Sequence, residues 1–162
     1  MVTLSWRTSI AAEDIARVVR LCQATGFFTP DESRLAGELV DVALEDGPSA
    51  DYHFIVADHD DDIAGYTCYG PIDGTESAYD LYWIVVDPRR QGHGLGKQLI
   101  VRTNAAIAAA GGTRYYAETS STDKYEPTRQ FYLRAGFKEV ARIADFYRTG
   151  DGKVIYQRVI GT

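Results

Sequence analysis

One segment constrains the fold more than any other part of the sequence: LYWIVVDPRRQGHGLGKQLI, residues 81–100. It opens with an apolar run rich in β-branched side chains, which is typical of a strand. Asp87-Pro88 ends this run, and apolar residues at helical spacing begin at Leu95. Arginines, glycines and a lysine fill the segment between them. The order of strand, charged glycine loop and helix predicts an α/β protein with an anion site where the helix begins.

The rest of the sequence extends this pattern to a mixed α/β protein. The predicted strands are residues 3–9, 52–59, 63–72, 77–88, 114–121, 137–146 and 153–160, and the predicted helices begin near Ala11, Thr29, Gly94 and Pro127. Their order is β-α-α-β-β-β-α-β-α-β-β. A chain of 162 residues suits one domain, so we expect residues 1–162 to fold as a single unit.

The second predicted helix carries a clear start signal. Thr29 and Glu32 have the spacing of a capping box, and Pro30 occupies the first helical position. Apolar residues then recur at helical spacing, which predicts a buried side made of Leu35, Leu39, Val42 and Ala43.

Composition narrows the class of protein. Hydrophobic residues make up 45% and charged residues 25%, as in soluble globular proteins. No apolar run approaches the roughly 20 residues of a membrane span, and the first residues lack the features of a secretory signal. A net charge of −6 argues against a nucleic-acid partner, which would require a basic face. Cys22 and Cys68 lack metal-ligand spacing, so we expect no metal, no membrane partner and a cytoplasmic protein with reduced thiols.

The glycine loop fails two of the known phosphate-binding patterns. A dinucleotide fingerprint, G-x-G-x-x-G, would need a third glycine where Lys97 follows Gly92 and Gly94. A Walker loop would need glycine at Gln91, and Ser or Thr at Gln98. Neither a dinucleotide site nor a nucleotide-hydrolysing site is therefore predicted.

A third pattern, [Q/R]-x-x-G-x-[G/A], is matched by Arg89, Gly92 and Gly94. Downstream, PTRQFYLRAGF (residues 127–137) carries a Phe-Tyr pair on a helix that ends in Gly-Phe. With these two motifs, which span residues 80–137, the chain resembles the GNAT superfamily of N-acetyltransferases. The resemblance implies a central mixed, mostly antiparallel sheet flanked by about four helices, and acetyl-CoA as co-substrate.

The resemblance also implies how acetyl-CoA is held. Backbone amides from Arg90 through Lys97 would cradle the pyrophosphate, while Arg89, Arg90 and Lys97 add positive charge. The implied loop contacts are Arg89, Arg90, Gln91, Gly92, His93, Gly94, Leu95, Gly96 and Lys97. His93 is either a phosphate contact or an exposed bystander.

The preceding strand would hold the pantetheine arm through the backbone of Ile84, Val85 and Val86, with one N–H stabilising the oxyanion. Where many relatives carry an asparagine, this chain offers the hydroxyls of Ser121 and Thr128 instead.

Three residues are implied in the chemistry. Tyr132 matches the tyrosine that many family members use as general acid toward the departing thiolate. A base is expected for the attacking amine. Asp80, on the strand before the loop, is the first candidate, and Glu118 in the neighbouring strand is the second. Either carboxylate could instead be a solvated group at a strand end.

The acceptor implied by the resemblance is a primary amine on a small molecule or a peptide. Aromatic residues in the family's acceptor regions are Phe27, Phe28, Tyr69, Trp83 and Phe146. A homodimer is a further expectation, because dimers are frequent among similar proteins. Two alternatives stay open: a CoA-binding or sensing module without catalysis, and an acyltransferase with another acyl donor or acceptor.

Overall fold

Seven strands and four α-helices make up the part of the chain described by the computed structural model, residues 3–161. The strands are β1 (Ser5–Arg7), β2 (His53–His59), β3 (Asp62–Pro71), β4 (Ala78–Val86), β5 (Arg114–Ser120), β6 (Lys138–Arg148) and β7 (Asp151–Val159). The helices are α1 (Glu13–Thr25), α2 (Pro30–Asp46), α3 (Leu95–Ala109) and α4 (Glu126–Arg134). None of the helices within residues 3–161 has the length and apolarity needed to cross a membrane.

The strands form one sheet in the order β1-β2-β3-β4-β5-β7-β6. β4 and β5 are parallel, whereas β1 with β2, β2 with β3, β5 with β7 and β6 with β7 are antiparallel. This confirms the predicted fold class, a mixed and mostly antiparallel sheet flanked by four helices.

The described residues divide into two compact units. One comprises the chain up to Gly70 together with Trp83–Thr103, and the other comprises Pro71–Tyr82 and the chain from Asn104 onward. The expectation of a single domain over residues 1–162 stays a prediction.

Helix α2 begins as predicted but buries a different side. Thr29 and Glu32 form the full capping box, with the Glu32 N–H donating to the Thr29 hydroxyl. The predicted side is wrong for Leu35 and Val42, which are 46% and 39% exposed, whereas Ala43 is buried and Leu39 packs against the core. Small residues face α1 instead: a Cβ on Gly37 would lie 2.7 Å from Val19 Cγ2. The close contact between α1 and α2 therefore requires a residue without a side chain at position 37.

A buried carboxylate joins β1, α1 and β2 in the first unit. Asp14 is 1% exposed and accepts hydrogen bonds from both terminal nitrogens of Arg7, at 2.7 and 2.9 Å, and from the Ala11 N–H. The same guanidinium donates to Asp58 at 2.6 Å. Burial raises the pKa of Asp14, but the bonds from Arg7 and Ala11 outweigh it, so the net pKa lies below its usual value. Folding therefore favours the ionised carboxylate.

Replacing Asp14 by asparagine is expected to destabilise the protein by about 3 kcal/mol at neutral pH, since it breaks a buried ion pair. Because the folded-state pKa is lowered, this stabilisation is present above the unfolded pKa of about 3.9 and is lost as the pH falls through the folded value. Urea unfolding of both proteins at neutral and acidic pH measures the effect, and their difference should shrink in acid. Asp31→Asn, which alters an exposed carboxylate paired with Arg34, is the control and should change little. Equal stability of the Asp14 variant and wild type at neutral pH would contradict the assignment.

Candidate active site

The loop between β4 and α3 is shaped by Asp87. This buried residue donates its N–H to the Ala64 carbonyl and accepts the Arg89 N–H on its carboxylate, both at 2.9 Å. The Arg90 N–H donates to the Asp87 carbonyl at 2.8 Å, which closes a short 3₁₀ turn over Pro88–Arg90. Gly92 and Gly94 then both adopt φ of +81°, a left-handed conformation that strains other residues. The glycines are therefore required by the path of the backbone.

Free backbone donors cluster after this turn. The first amide of α3 bonded along the helix is that of Gln98, which donates to the Gly94 carbonyl at 3.1 Å. Within the described residues, the N–H groups of residues 91–97 make no well-aligned hydrogen bond to a backbone carbonyl. The Arg90 N–H, which the sequence analysis included in the cradle, donates within the turn, and the cradle itself stays a prediction. Such a cluster at a helix N-terminus favours an anion.

The cations of the loop differ in their surroundings. Arg89 is paired with Asp87 at 2.7 Å, and its hydrogen bonds to that carboxylate lower the pKa of Asp87. Arg90 extends instead to His59, with its Nη2 2.6 Å from the ring Nδ1. Lys97 and His93 are exposed. Gln91 is exposed too and donates to the Val86 carbonyl, while Leu95 is buried and Gly96 is half-buried.

Gly65 on β3 is a site residue that the sequence analysis missed. A Cβ at this position would lie 3.0 Å from the Val85 carbonyl oxygen and 3.2 Å from Leu99 Cδ1. β3 can therefore lie close to β4 and α3 only because residue 65 has no side chain. An isolated glycine inside a predicted strand was the available signal.

Strand β4 carries the residues implied in pantetheine binding. Leu81 and Val85 are buried while Tyr82 is exposed, which agrees with the predicted alternation along this strand. Within the described residues, the ladder between β4 and β5 covers the pairs from Ala78↔Arg114 to Asp80↔Tyr116. The pairing of β4 with β5 thus involves the first third of β4.

The two candidate bases have different surroundings in the second unit. Glu118 is half-exposed and paired with Lys153 at 2.7 Å. The ammonium of Lys153 also lies 3.9 Å from the ring centroid of Phe146. Asp80 is half-buried; burial and the charge of Glu118 raise its pKa, while Lys153 lowers it. Lys153, absent from the sequence-based predictions, therefore pairs with Glu118 and opposes the rise in the pKa of Asp80.

Tyr132 lies in an aromatic cluster of the second unit. It is 5% exposed, stacks on Tyr156 at 5.4 Å and meets Phe137 edge-on at 5.3 Å. Burial, with smaller contributions from Tyr115 and Tyr156, raises the pKa of its hydroxyl. The group is thus a neutral phenol over the whole physiological range and can act as a donor.

Tyr132 and Glu118 lie on opposite faces of this part of the sheet. Along the regular β5–β7 ladder, Ala117 pairs with Tyr156, and the next residue, Glu118, pairs with Ile155. Successive side chains point to opposite faces, so Glu118 lies on the other side from Tyr156 and the Tyr132 ring stacked on it. The structure therefore does not bring Tyr132 together with Glu118.

The aromatic residues expected near the acceptor fall into both units. Phe28 and Trp83 contact each other at 5.0 Å and pack against the core of the first unit. Tyr69 is buried beside His53, and Phe27 is half-buried. Phe146, in the second unit, is 49% exposed. Phe28 and Trp83 are thus in direct contact within the first unit.

The two hydroxyls expected to replace an asparagine are both half-buried. Ser121 accepts the Gly152 N–H at 2.8 Å, which leaves its own O–H as a donor. Thr128 lies in the first turn of α4. Among residues 3–161, no group of three or more His, Cys, Asp or Glu side chains is arranged to hold a metal ion.

Known proteins are similar to this chain in sequence and in fold. Residues 50–139 match the family of acetyltransferase (GNAT) domains. A GNAT-family protein from Desulfovibrio desulfuricans is 46% identical, with a TM-score of 0.92, over 97% of this chain and 99% of that one. Curated proteins offer no match.

Two more distant structures share the fold. An aminoglycoside 6′-N-acetyltransferase in complex with coenzyme A is 17% identical, with a TM-score of 0.76, over 99% of this chain and 98% of that one. The ribosomal-protein-S18-alanine N-acetyltransferase of Escherichia coli is 16% identical, with a TM-score of 0.74, over 99% and 96%. Because a domain match covers more than half of its residues and a 46% identical relative covers nearly all of them, the chain belongs to the GNAT family of acetyltransferases.

Proposed function

We propose that this protein transfers an acetyl group from acetyl-CoA to a primary amine of a small molecule or peptide by direct attack in a ternary complex. The amine nitrogen would attack the thioester carbon, the tetrahedral intermediate would expel the CoA thiolate, and the nitrogen would lose a proton to a base. The observation that carries the donor assignment is the run of free amides at residues 91–97 beside Arg90 and Lys97. Co-crystals of fold neighbours with coenzyme A support it.

The pantetheine arm is proposed to extend along residues 84–86 of β4. Support comes from the short ladder with β5, which covers Ala78 to Asp80. Main-chain groups beyond it would be available to a ligand that adds to the sheet as a strand does. One N–H among Ile84, Val85 and Val86 would donate to the thioester oxygen and stabilise the oxyanion.

Asp80 is the proposed base. Glu118 is committed to Lys153 at 2.7 Å, so it would have to leave this ion pair to approach an amine. Asp80 has a raised pKa, which makes it a stronger base than an ordinary aspartate once it is ionised. These contrasts favour Asp80 over Glu118.

Tyr132 is the proposed acid toward the CoA thiolate. A free thiol has a pKa of about 8.5 and tyrosine one of about 10, so full proton transfer is already uphill. The raised pKa of Tyr132 increases that gap. Hydrogen bonding of the neutral hydroxyl to the developing thiolate is therefore proposed as its first action, with the proton following as charge builds on sulfur.

The acceptor, the assembly and the location are also proposals. Phe27, Phe28, Tyr69, Trp83 and Phe146 are proposed to contact the acceptor amine. The proposed homodimer is supported by the edge strand β6, where Val140, Ile143, Phe146 and Tyr147 are all more than 40% exposed.

A cytoplasmic location is supported by the two free, buried cysteines, Cys22 and Cys68.

Replacing Gly94 by valine is expected to weaken CoA binding by at least about tenfold. No atom lies within 4 Å of a Cβ built there, so the effect comes from the φ of +81°, which is costly for a β-branched residue. The loop would then change conformation, and the amides of residues 91–97 would no longer converge. Calorimetry with CoA measures the loss.

Gly74→Val is the matched control, because Gly74 has a similar φ of +78° and open space around it but lies in the β3–β4 connection. It should show a comparable loss of stability and unchanged affinity. If Gly94→Val bound CoA as wild type does, the loop would not be the donor site.

A further inference from the structure

We propose that His59 positions the Arg90 guanidinium for a CoA phosphate, and that protonation of His59 releases it, so that donor binding weakens in acid. The inference rests on the proposed function, because it takes the glycine loop to be the donor site. His59 lies on β2, 31 residues from Arg90 in sequence. It is a positioning residue, acting on the ligand through Arg90.

Arg90 keeps its charge available to a ligand, whereas Arg89 does not. The Arg89 side chain is bound to the Asp87 carboxylate through Nε and Nη2, which neutralises its charge locally. Within the described residues, no carboxylate lies within 4.0 Å of the Arg90 guanidinium. Its side-chain partner is a histidine nitrogen, which fixes the direction of the guanidinium without cancelling its charge.

Both ends of the His59–Arg90 hydrogen bond are held by ordered backbone. His59 is the last residue of β2 and pairs with Asp62 across the turn, where Asp60 adopts φ of 54°. The Asp62 carboxylate accepts the Ile63 N–H at 2.9 Å and secures the return strand. The Arg90 backbone is fixed by its bond to Asp87. The 2.6 Å bond thus orders a long side chain before the ligand arrives, which reduces the entropy lost on binding.

The protonation state of His59 decides whether this bond exists. A guanidinium can only donate, so Nδ1 must be an acceptor and the ring must be neutral. Once Nδ1 is protonated it becomes a donor, and two cations would face each other. The Asp60 carboxylate lies 3.4 Å from the same nitrogen and offers the protonated ring a partner. Acid therefore transfers His59 from Arg90 to Asp60, and the Arg90 side chain loses the contact that orders it.

The remaining charges around His59 do not change this assignment. They line a cleft of about 480 Å³ and comprise Arg20, Asp60, Asp61, Asp62, Asp87 and Arg89. Asp87 is bonded to Arg89, and Asp62 lies 3.9 Å from Arg20. Asp60 is the carboxylate within ion-pair distance of His59 among the described residues. Histidine is the side chain that ordinarily changes charge between about pH 5 and 8, which sets the pH range of the experiment.

The test is the dissociation constant of CoA, measured by calorimetry on the full chain at about pH 8 and about pH 5.5. His59→Gln keeps a carbonyl acceptor for Arg90 but cannot be protonated, whereas His59→Ala removes the acceptor. At the higher pH, we expect His59→Gln to bind like wild type and His59→Ala to bind about 3- to 10-fold more weakly. On acidification, wild type should lose about 3- to 10-fold more affinity than His59→Gln.

Comparing proteins at each pH removes the titration of CoA itself, which is common to all of them. His53→Gln, which changes the histidine at the other end of β2, is the matched control and should behave as wild type. Arg90→Met should weaken binding more than Arg89→Met. The inference is overturned if His59→Ala binds normally at the higher pH, or if wild type and His59→Gln share one pH dependence. If wild type bound no CoA at either pH, the proposed function itself would fail. If wild type bound CoA but the His59 variants behaved like it, the inference about His59 alone would fail.

Discussion

An Asp80→Asn variant is expected to lose about 10²- to 10⁴-fold in kcat/KM for the amine, the range typical of a general base. The amide is nearly isosteric with the carboxylate, so the fold and CoA affinity should be retained. Steady-state kinetics against the amine, with the CoA dissociation constant measured in parallel, would separate lost catalysis from lost binding. Wild-type activity should fall as the pH drops through the raised pKa of Asp80, because the base must be ionised.

Two variants on the same face provide the controls. Glu118→Gln removes a like charge that raises the pKa of Asp80, so the acidic limb of the pH profile should move to lower pH. Lys153→Met removes the positive charge that lowers the pKa of Asp80, so the acidic limb of the pH profile should move to higher pH. Both variants should keep more activity than Asp80→Asn. A larger rate loss in Glu118→Gln than in Asp80→Asn would transfer the role of base to Glu118.

Local backbone signals explain what the sequence could predict. The capping box at Thr29 and Glu32 involves residues three apart, so its pattern is visible without tertiary structure. Gly92 and Gly94 marked the loop between a strand and a helix, and both adopt φ of +81° there. The fold class followed from such signals combined with the order of strands and helices.

Non-local packing explains what the sequence could not predict. The large apolar residues of α2 suggested one buried side, but contact with α1 selected Ala36 and Gly37 instead. The separation of Tyr132 from Glu118 depends on the β5–β7 register, which no local pattern encodes. The partner of Arg90 lies 31 residues away and that of Glu118 lies 35 residues away. The roles of Tyr132, Asp80 and Glu118 stay predictions.

Replacing Tyr132 by phenylalanine is expected to lower kcat by about 10²-fold or more while leaving the CoA dissociation constant unchanged. The ring contacts with Phe137 and Tyr156 persist, so the variant loses a hydroxyl and keeps its packing. Because the raised pKa keeps this hydroxyl protonated, the wild-type rate should show no basic limb from Tyr132 below its ordinary pKa of about 10. Donor binding by calorimetry and single-turnover acetyl transfer would measure the two quantities separately.

Tyr115→Phe is the matched control for this experiment. Tyr115 belongs to the same aromatic cluster, and within the described residues its buried hydroxyl has no hydrogen-bond partner. Removing it should leave kcat unchanged and cost no stability, since an unpaired buried hydroxyl is itself unfavourable. If Tyr132→Phe kept the wild-type rate, as Tyr115→Phe is expected to do, Tyr132 would be a packing residue. A CoA-binding module without catalysis predicts a third pattern, in which wild type binds CoA and transfers no acetyl group to any amine. The paired substitutions thus compare the Tyr132 hydroxyl with the Tyr115 hydroxyl, whose ring also contacts Phe137.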